Sequence, residues 1–373
     1  MKLIIEPADG VAPLLAAIKG AKTRVEIAIF RFDRTDVENA LKAAAARGVK
    51  VTALIAFTNR GGEQRLRKLE QRFLDAGIIV ARTSDDLIRY HDKFIVIDRR
   101  VLYVLSFNFT HLDIDHSRGF GIVSTRANWV NEAARLFRAD CTRSKYRPHT
   151  DTFVVSPANS RTALETFVKR AKKQLLIYDP KISDTAMLRA LQARAKAGVE
   201  IKVIGSVSSR SGLNAQKLAH TRLHTRTIIR DRRQAFVGSQ SLRSEELDKR
   251  RELGVIIQDA KAVKILIDTF ESDWVGTTVK ERPASTTEPA ASGPANEPAA
   301  ASVKETAKAV QVFTKELDPL SVSVKKAVRK AVAKAGDDVL HDKDVKDTMK
   351  KVVKKAVKEA VKEAIQDAQA AQV

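Results

Sequence analysis

The sequence predicts an α/β fold: two duplicated α/β/α sandwich domains with mixed sheets, packed about a pseudo-twofold axis. Three observations predict it. Residues 1–275 contain an internal duplication. Each copy alternates short β-branched runs with Ala-rich amphipathic stretches. Each copy also carries one strand-like segment with the order His, one residue, cation, four residues, Asp.

The duplication is read from paired residues. Residues 4–36 align with 154–184, so that Pro7 matches Pro157, Ala21 matches Ala171, Lys22 matches Lys172 and Gly48 matches Gly198, each offset by 150. His91 and His224 are offset by 133. The first half therefore carries 17 additional residues between Gly48 and His91, most simply within 58–77.

Each half opens on a Pro-containing turn and an amphipathic helix, with Leu14, Leu15 and Ile18 or Leu164, Phe167 and Val168 on the apolar face. A strand follows at 25–30 or 175–178, then an Ala-rich helix ended by Gly48 or Gly198 as a left-handed C-terminal glycine. A β-branched strand comes next, 49–55 or 199–204. Strand, helix and strand with short joints form a βαβ unit, whose parallel strands require covered faces. The His segments, 89–98 and 222–231, add a strand. The tight turn Asp-Arg-Arg joins each to a neighbour at 103–107 or 235–239, and a last strand lies at 119–123 or 252–257. The halves are placed at 1–148 and 149–275.

The composition changes after Gly276. Residues 276–310, rich in Pro, Ala, Ser and Thr, read as a disordered linker. Residues 311–373 read as a helical basic tail, with Met349, Val353, Val357, Val361 and Ile365 at intervals of four. Contact with a polyanion and a merely solvated helix are both compatible with that tail; its stripe is thin for a membrane-surface helix.

Charge narrows the partner classes. Of the net +22, the linker holds none and the tail +4, which leaves +18 on residues 1–275. Such a surface attracts nucleic acid, an anionic membrane or phosphorylated small molecules. The single cysteine, Cys141, excludes an intrachain disulfide and fits a reducing compartment. Glu6 and Asp9 interrupt the first apolar run, so no signal peptide is expected, and no apolar window suits a membrane span. The expectation is a cytoplasmic protein, peripheral to the inner membrane face, and a monomer because both half-sites lie in one chain.

The chemistry rests on His91, Lys93 and Asp98 and on His224, Arg226 and Asp231. Residues i and i+2 of a strand share a face, so each imidazole stands beside a cation. Two such pairs in one cleft suit a phosphodiester. Lys93 and Arg226 neutralise its non-bridging oxygens without a metal or cofactor, with Asn108, Ser106 and Ser239 donating hydrogen bonds. One imidazole attacks phosphorus. The other protonates the leaving alkoxide and then activates water or an acceptor alcohol.

The stretches HDKFIVID with SFN, and HTRTIIRD with GSQS, resemble the paired HKD signature of the phospholipase D superfamily. The resemblance covers both halves. It implies a single active site working through a covalent phosphohistidine, with His91 and His224 as nucleophile and proton donor. It also implies phosphate contacts from Lys93, Asn108 and Arg226, and supporting roles for Asp98 and Asp231. The departures are Leu105 in place of glycine, Arg226 in place of lysine and Ser241 in place of asparagine. Arginine keeps the charge but not the geometry of an ammonium.

Many members of that superfamily carry an acidic residue after the signature that orients the histidine. Glu252, 28 residues beyond His224, fits this role, whereas the matching position after His91 is Gly119. The expectation is that Glu252 holds His224 as acid and base while His91 attacks, with Asp113 or Asp115 in place of the missing carboxylate. His111, Asp113, Asp115 and His116 also have metal-ligand chemistry, but they read more simply as a polar loop at the cleft rim. Tyr90, Phe94, Phe107 and Phe109 read as core, with Tyr90 also able to reach the cleft mouth.

The favoured function is a phospholipase D-like phosphodiesterase that hydrolyses or transfers the phosphatidyl group of a phospholipid. A metal-independent nuclease is the first alternative, and a catalytically weakened polyanion-binding module the second. Few apolar residues in the sequence suggest a membrane-facing rim.

Overall fold

A computed structural model describes residues 1–59, 63–208 and 211–277. The first half runs β1 (Lys2–Glu6), α1 (Ala12–Gly20), β2 (Arg24–Ile29), α2 (Thr35–Ala46), β3 (Lys50–Ile55), α3 (Glu63–Asp75), β4 (Ile79–Arg82), β5 (Arg89–Tyr90), β6 (Phe94–Ile97), β7 (Val101–Leu105), α4 (His111–Asp115), β8 (Ser117–Ser124) and α5 (Ala127–Cys141). The second runs β9 (Phe153–Ser156), α6 (Ser160–Lys169), β10 (Gln174–Ile182), α7 (Thr185–Lys196), β11 (Glu200–Val207), β12 (Asn214–Gln216), β13 (Arg222–Leu223), β14 (Arg226–Arg230), β15 (Gln234–Gly238), α8 (Ser244–Asp248), β16 (Arg250–Ile257) and α9 (Ala260–Val275).

The two sheets repeat one plan. The first has the order β1-β8-β7-β6-β2-β3-β4, and the second β12-β11-β10-β14-β15-β16, with β9 also on β16. In each sheet the βαβ strands are parallel, β2 to β3 and β10 to β11, while the strand after the histidine is antiparallel to its neighbours. This is the mixed, duplicated α/β architecture that the sequence predicts. The 17 additional residues supply α3, whose Leu66, Leu69 and Phe73 are buried at the amphipathic spacing.

Three buried layers follow from the strand alternation. Leu14, Ile18, Val37 and Leu41 on α1 and α2 cover one face of the first sheet, and Leu164, Phe167, Met187 and Leu191 on α6 and α7 cover the corresponding face of the second. Between the sheets lies a shared core. There Trp129 and Phe137 of α5 and Leu266 and Phe270 of α9 meet Phe94, Phe120, Tyr178 and Val237. Each such side chain stabilises the fold by about 1.5–3 kcal/mol. Because the two halves share this core, the strand ends of both sheets are held in a fixed relation.

The halves also exchange short strands. β5 of the first half pairs in parallel with β16 of the second, Arg89 with Arg250 and Tyr90 with Arg251. β13 of the second half pairs in parallel with β8 of the first, Arg222 with Ser117 and Leu223 with Arg118. The two exchanges are equivalent under the offset of 133. Each delivers one histidine to the boundary between the halves.

Among the described residues no helix is long and apolar enough to cross a membrane. The linker expected at 276–310 and the tail expected at 311–373 lie, after Thr277, outside the described residues.

Candidate active site

His91 and His224 each enter the site immediately after an exchanged strand. The backbone N–H of His91 donates to the Arg251 carbonyl at 2.7 Å, and that of His224 to the Arg118 carbonyl at 3.2 Å. Both rings are buried. Burial, then the cations of Lys93 and Arg226, hold both imidazoles well below their ordinary pKa, so both are neutral in the free protein at neutral pH. Charge on His91 also disfavours charge on His224, which brings the two rings into one electrostatic site.

Each cation follows its histidine by two residues and bonds back to it. The Lys93 ammonium donates to the His91 carbonyl, and Arg226 Nη1 donates to the His224 carbonyl at 2.6 Å. Lys93 is fully buried. Burial pushes its pKa down to about 7 against the opposing pull of Glu252, with Arg226 lowering it further.

The carboxylates depart from the expected pairing. Glu252 does not hold His224; its Oε2 lies 2.8 Å from Nδ1 of His91. The strand exchange is the reason, since Tyr90 pairs with Arg251 and so sets the next residues, His91 and Glu252, side by side. At the twin position Gly119 has no side chain, and Nδ1 of His224 is buried without a hydrogen-bond partner. A Cβ at Gly119 would stand 2.8 Å from Phe107 Cδ1, so the packing in that half leaves no room for a carboxylate.

Asp113 approaches His224 from the other side, with Oδ2 3.4 Å from Nε2. It also accepts from the Asn108 backbone N–H (2.9 Å), the Asn108 side-chain amide (2.6 Å) and Arg222 Nη1 (2.7 Å). Glu246 is its counterpart, accepting from the Ser241 backbone N–H at 2.7 Å and from Arg250 at 3.1 Å. Sequence reasoning assigned no role to Arg222, Glu246 or Arg250. The signal for Glu246 was its offset of 133 from Asp113; for Arg222 it was the same offset from Arg89.

The remaining candidates divide between the cleft and its supports. Asn108 stands in the cleft, and its side-chain Oδ1 is buried with no partner. Ser241 Oγ accepts from Arg226 Nε at 3.2 Å. The hydroxyls of Ser106 and Ser239 are engaged with backbone groups of β8 and β16, Ser106 accepting from Phe120 N–H and Ser239 from Leu253 N–H. Their contribution is to fix neighbouring strands. Asp98 and Asp231 are outside the cleft altogether. They cap the opposite ends of β6 and β14, in left-handed turns, and accept backbone N–H groups of residues 22–24 and 172–174.

The segment at 111–115 forms the short helix α4 rather than a loop. Asp115 pairs with Arg34 at 2.6 Å and with His111 at 2.9 Å, and Asp113 is engaged as described. No cluster suited to hold a metal occurs among the described residues. Tyr90 is buried, with its hydroxyl donating to Asp86 at 2.7 Å, and does not reach the cleft mouth.

The duplicated α/β half is the feature that the family comparison reproduces. The family model described as cardiolipin synthase, PLD-like domain, matches residues 14–141 and 164–274. The chain belongs to that family. Both halves of this PLD-like chain are therefore covered, and phosphodiesterase-type hydrolysis or transfer is the general chemistry of its domain.

Among solved structures, the PLD-like chain is similar to polyphosphate kinase from Porphyromonas gingivalis, with a TM-score of 0.61 and 21% identity over 72% of this chain and 46% of that one. It thus spans less than half the length of that enzyme. It is also similar to phosphatidylserine synthase from Haemophilus influenzae Rd KW20, with a TM-score of 0.56 and 10% identity over 74% and 86% of the two chains. These likenesses show the fold. Nuc, a phospholipase D family member from Salmonella typhimurium, matches 39% of this chain and 95% of its own, at 23% identity and a TM-score of 0.36. No curated protein matches the chain.

Proposed function

We propose that this chain is a phospholipid phosphodiesterase that hydrolyses or transfers a phosphatidyl group through a phosphohistidine, with Lys93 and Arg226 neutralising the phosphate. The observation that carries the reading is the contact between His91 Nδ1 and Glu252 Oε2. A proton on Nδ1 shared with Glu252 leaves the lone pair on Nε2 free to attack phosphorus. When the Nε2–P bond forms, the ring becomes cationic, and the adjacent carboxylate stabilises it. His91 is thus the nucleophile, and Glu252 serves the attacking ring rather than the acid.

His224 is the proton donor. Its charge arrives with the substrate, because the phosphodiester anion offsets the burial and the cations that keep the ring neutral in the free protein. As the P–O bond breaks, the leaving alkoxide takes a proton from His224. In the second step His224 removes a proton from water or an alcohol. That oxygen attacks phosphorus, the P–N bond breaks, and neutral His91 is restored.

The apolar residues around the cleft favour a lipid. Ile88 is 52% exposed beside β5, and Leu112 is 50% exposed next to Asp113 on α4. Phe57, 41% exposed, follows β3 at the edge where Phe30 packs against the His91 ring with centroids 4.6 Å apart. Exposed apolar side chains beside a basic cleft suit entry into an anionic bilayer surface. A nuclease reading is favoured by Arg31 and Arg222, neighbouring exposed cations at the same edge.

One assay separates them: phosphatidylglycerol vesicles beside labelled single- and double-stranded DNA and RNA, all with chelator. The expected result is lipid turnover that chelator leaves unchanged and that His91→Ala or His224→Ala abolishes. Cleavage of nucleic acid alone replaces the lipid reading with the nuclease one. No turnover of any diester replaces both with a polyanion-binding module.

A further inference from the structure

The end of the second half remote from the histidines carries a cavity in two lobes that share Arg170, Arg230, Gln234 and Gln258. One lobe, of about 330 Å³, has an apolar wall of Ala163, Phe167 and Ile256. The other, of about 630 Å³, is lined by Lys169, Arg170, Lys172, Arg194, Arg230 and Arg233. The one acidic residue in that second lobe is Asp231, whose carboxylate is already occupied by backbone N–H groups of residues 172–174. His224 lies six residues before Arg230 along extended chain, about 20 Å away. The cavity is therefore separate from the catalytic cleft.

The duplication supplies an internal control. At the equivalent positions the first half has Gly20 for Arg170, Ala44 for Arg194, Ile97 for Arg230, Val101 for Gln234 and Thr125 for Gln258. The same scaffold thus folds without these five groups, whereas Lys169, Lys172 and Arg233 of the basic lobe keep basic twins in Lys19, Lys22 and Arg100. Three cations of the basic lobe are not spent on internal structure. Among the described residues the side chains of Arg170, Arg194 and Arg233 have no hydrogen-bond or ion-pair partner. Arg230 is held rigidly, donating to the Phe167 carbonyl at 2.9 Å with its guanidinium 4.3 Å from the centroid of the Phe167 ring. The side-chain oxygen of Gln234 is buried with no donor, an acceptor left open beside both lobes.

We propose that this cavity is a second ligand site, for a nucleoside di- or triphosphate. The basic lobe takes the phosphates by charge-assisted hydrogen bonds from arginine forks. The lobe walled by Phe167 and Ile256 takes the base, with the Gln234 oxygen accepting from a base N–H. Both lobes fall in the volume range of small-ligand sites. Occupancy would tie α6 to the β14–β15 turn, at the far end of the strand that starts beside His224.

The test is equilibrium binding of ATP and ADP to the full chain by calorimetry, with adenosine and inorganic tripolyphosphate as partial probes. Arg170→Gly with Arg230→Ile copies the residues that the first half tolerates, and circular dichroism checks that the variant is folded. The expected result is that ATP binds more tightly than either partial probe and that the folded double variant weakens ATP by about tenfold or more. Gln234→Val should weaken ATP while leaving tripolyphosphate unchanged. Tripolyphosphate binding as tightly as ATP would overturn the nucleoside assignment. ATP binding unaffected in the double variant, or no binding to the parent chain, would overturn the site. If only a single-stranded oligonucleotide binds, and the double variant loses it, the cavity holds a nucleic-acid strand and the free-nucleotide proposal is wrong.

Discussion

Glu252 Oε2 stands 2.8 Å from Nδ1 of His91, across 161 residues of sequence and from the opposite half of the duplication. Glu252→Gln keeps the side chain's size but, in the proposed mechanism, can no longer stabilise a cationic, phosphorylated ring. Losing such a carboxylate partner is expected to lower kcat by about 10–100-fold, with KM changed little. Rapid-quench measurement of phosphoenzyme formation checks the step affected. Formation itself should slow, and an undiminished rate would take Glu252 out of the attack.

Lys93 gives the cleft a pH dependence. Its pKa is pushed down to about 7, mainly by burial, so the free protein loses this cation as pH rises through that value. In the proposed mechanism the charged form is the one that neutralises the phosphate. kcat/KM should therefore fall above about pH 7, whereas the limb in kcat should move to higher pH, because the bound phosphodiester anion favours the ammonium. Lys93→Met should lower kcat/KM by about 10²–10³ and remove that limb. A limb that persists unchanged in Lys93→Met belongs to another group.

Much of this architecture was legible in the sequence because a duplication doubles every weak signal. Gly48 and Gly198 marked equivalent helix ends, and His91 and His224 marked equivalent strands. The exchange of β5 and β13 was not legible. Each is only two residues long, too short to show a period, and its pairing depends on how the two sheets approach through the shared core. The same exchange decided which histidine Glu252 would meet. Sequence spacing pointed Glu252 to the histidine of its own half, whereas its contact is with His91 of the other. Asp98 and Asp231 show the converse case. Five residues beyond Lys93 and Arg226, they are carried by the strand to the opposite end of the sheet, where only structural work is available to them.

That structural work can be separated from catalysis. Asp98 has φ 52° and accepts the backbone N–H groups of Lys22, Thr23 and Arg24 at 3.0, 2.7 and 2.8 Å. Those hydrogen bonds outweigh the opposing effect of burial and bring its carboxyl down to about 2. Asn tolerates the left-handed region, so Asp98→Asn tests the charge alone. Stability should drop by about 1–3 kcal/mol at neutral pH, with kcat unchanged. The folded pKa lies below the ordinary value, so this contribution is present above about pH 4 and is lost as pH falls through about 2. Urea titrations at pH 7 and in acid should show the difference between parent and variant shrinking as the acid is reached.

Glu6 should act in the opposite direction. Its side chain is fully buried at the end of β1, opposite Gly119 on β8, and neither carboxyl oxygen has a well-formed hydrogen bond. Burial pushes its pKa up to about 8; the nearby Gly10 N–H and Arg34 oppose this, while Asp9 and Asp115 add to it. The folded state therefore holds a proton that the unfolded chain gives up near pH 4.5. The stabilisation is complete below that pH and is lost as pH rises through about 8. Glu6→Gln remains neutral throughout. It should match the parent at pH 4 and be more stable by about 2 kcal/mol at pH 9, where the parent must bury an ion without a partner. Thermal melts of both proteins across this range give the answer. Parallel curves at every pH would mean that Glu6 is paired or hydrated in solution and carries no buried proton.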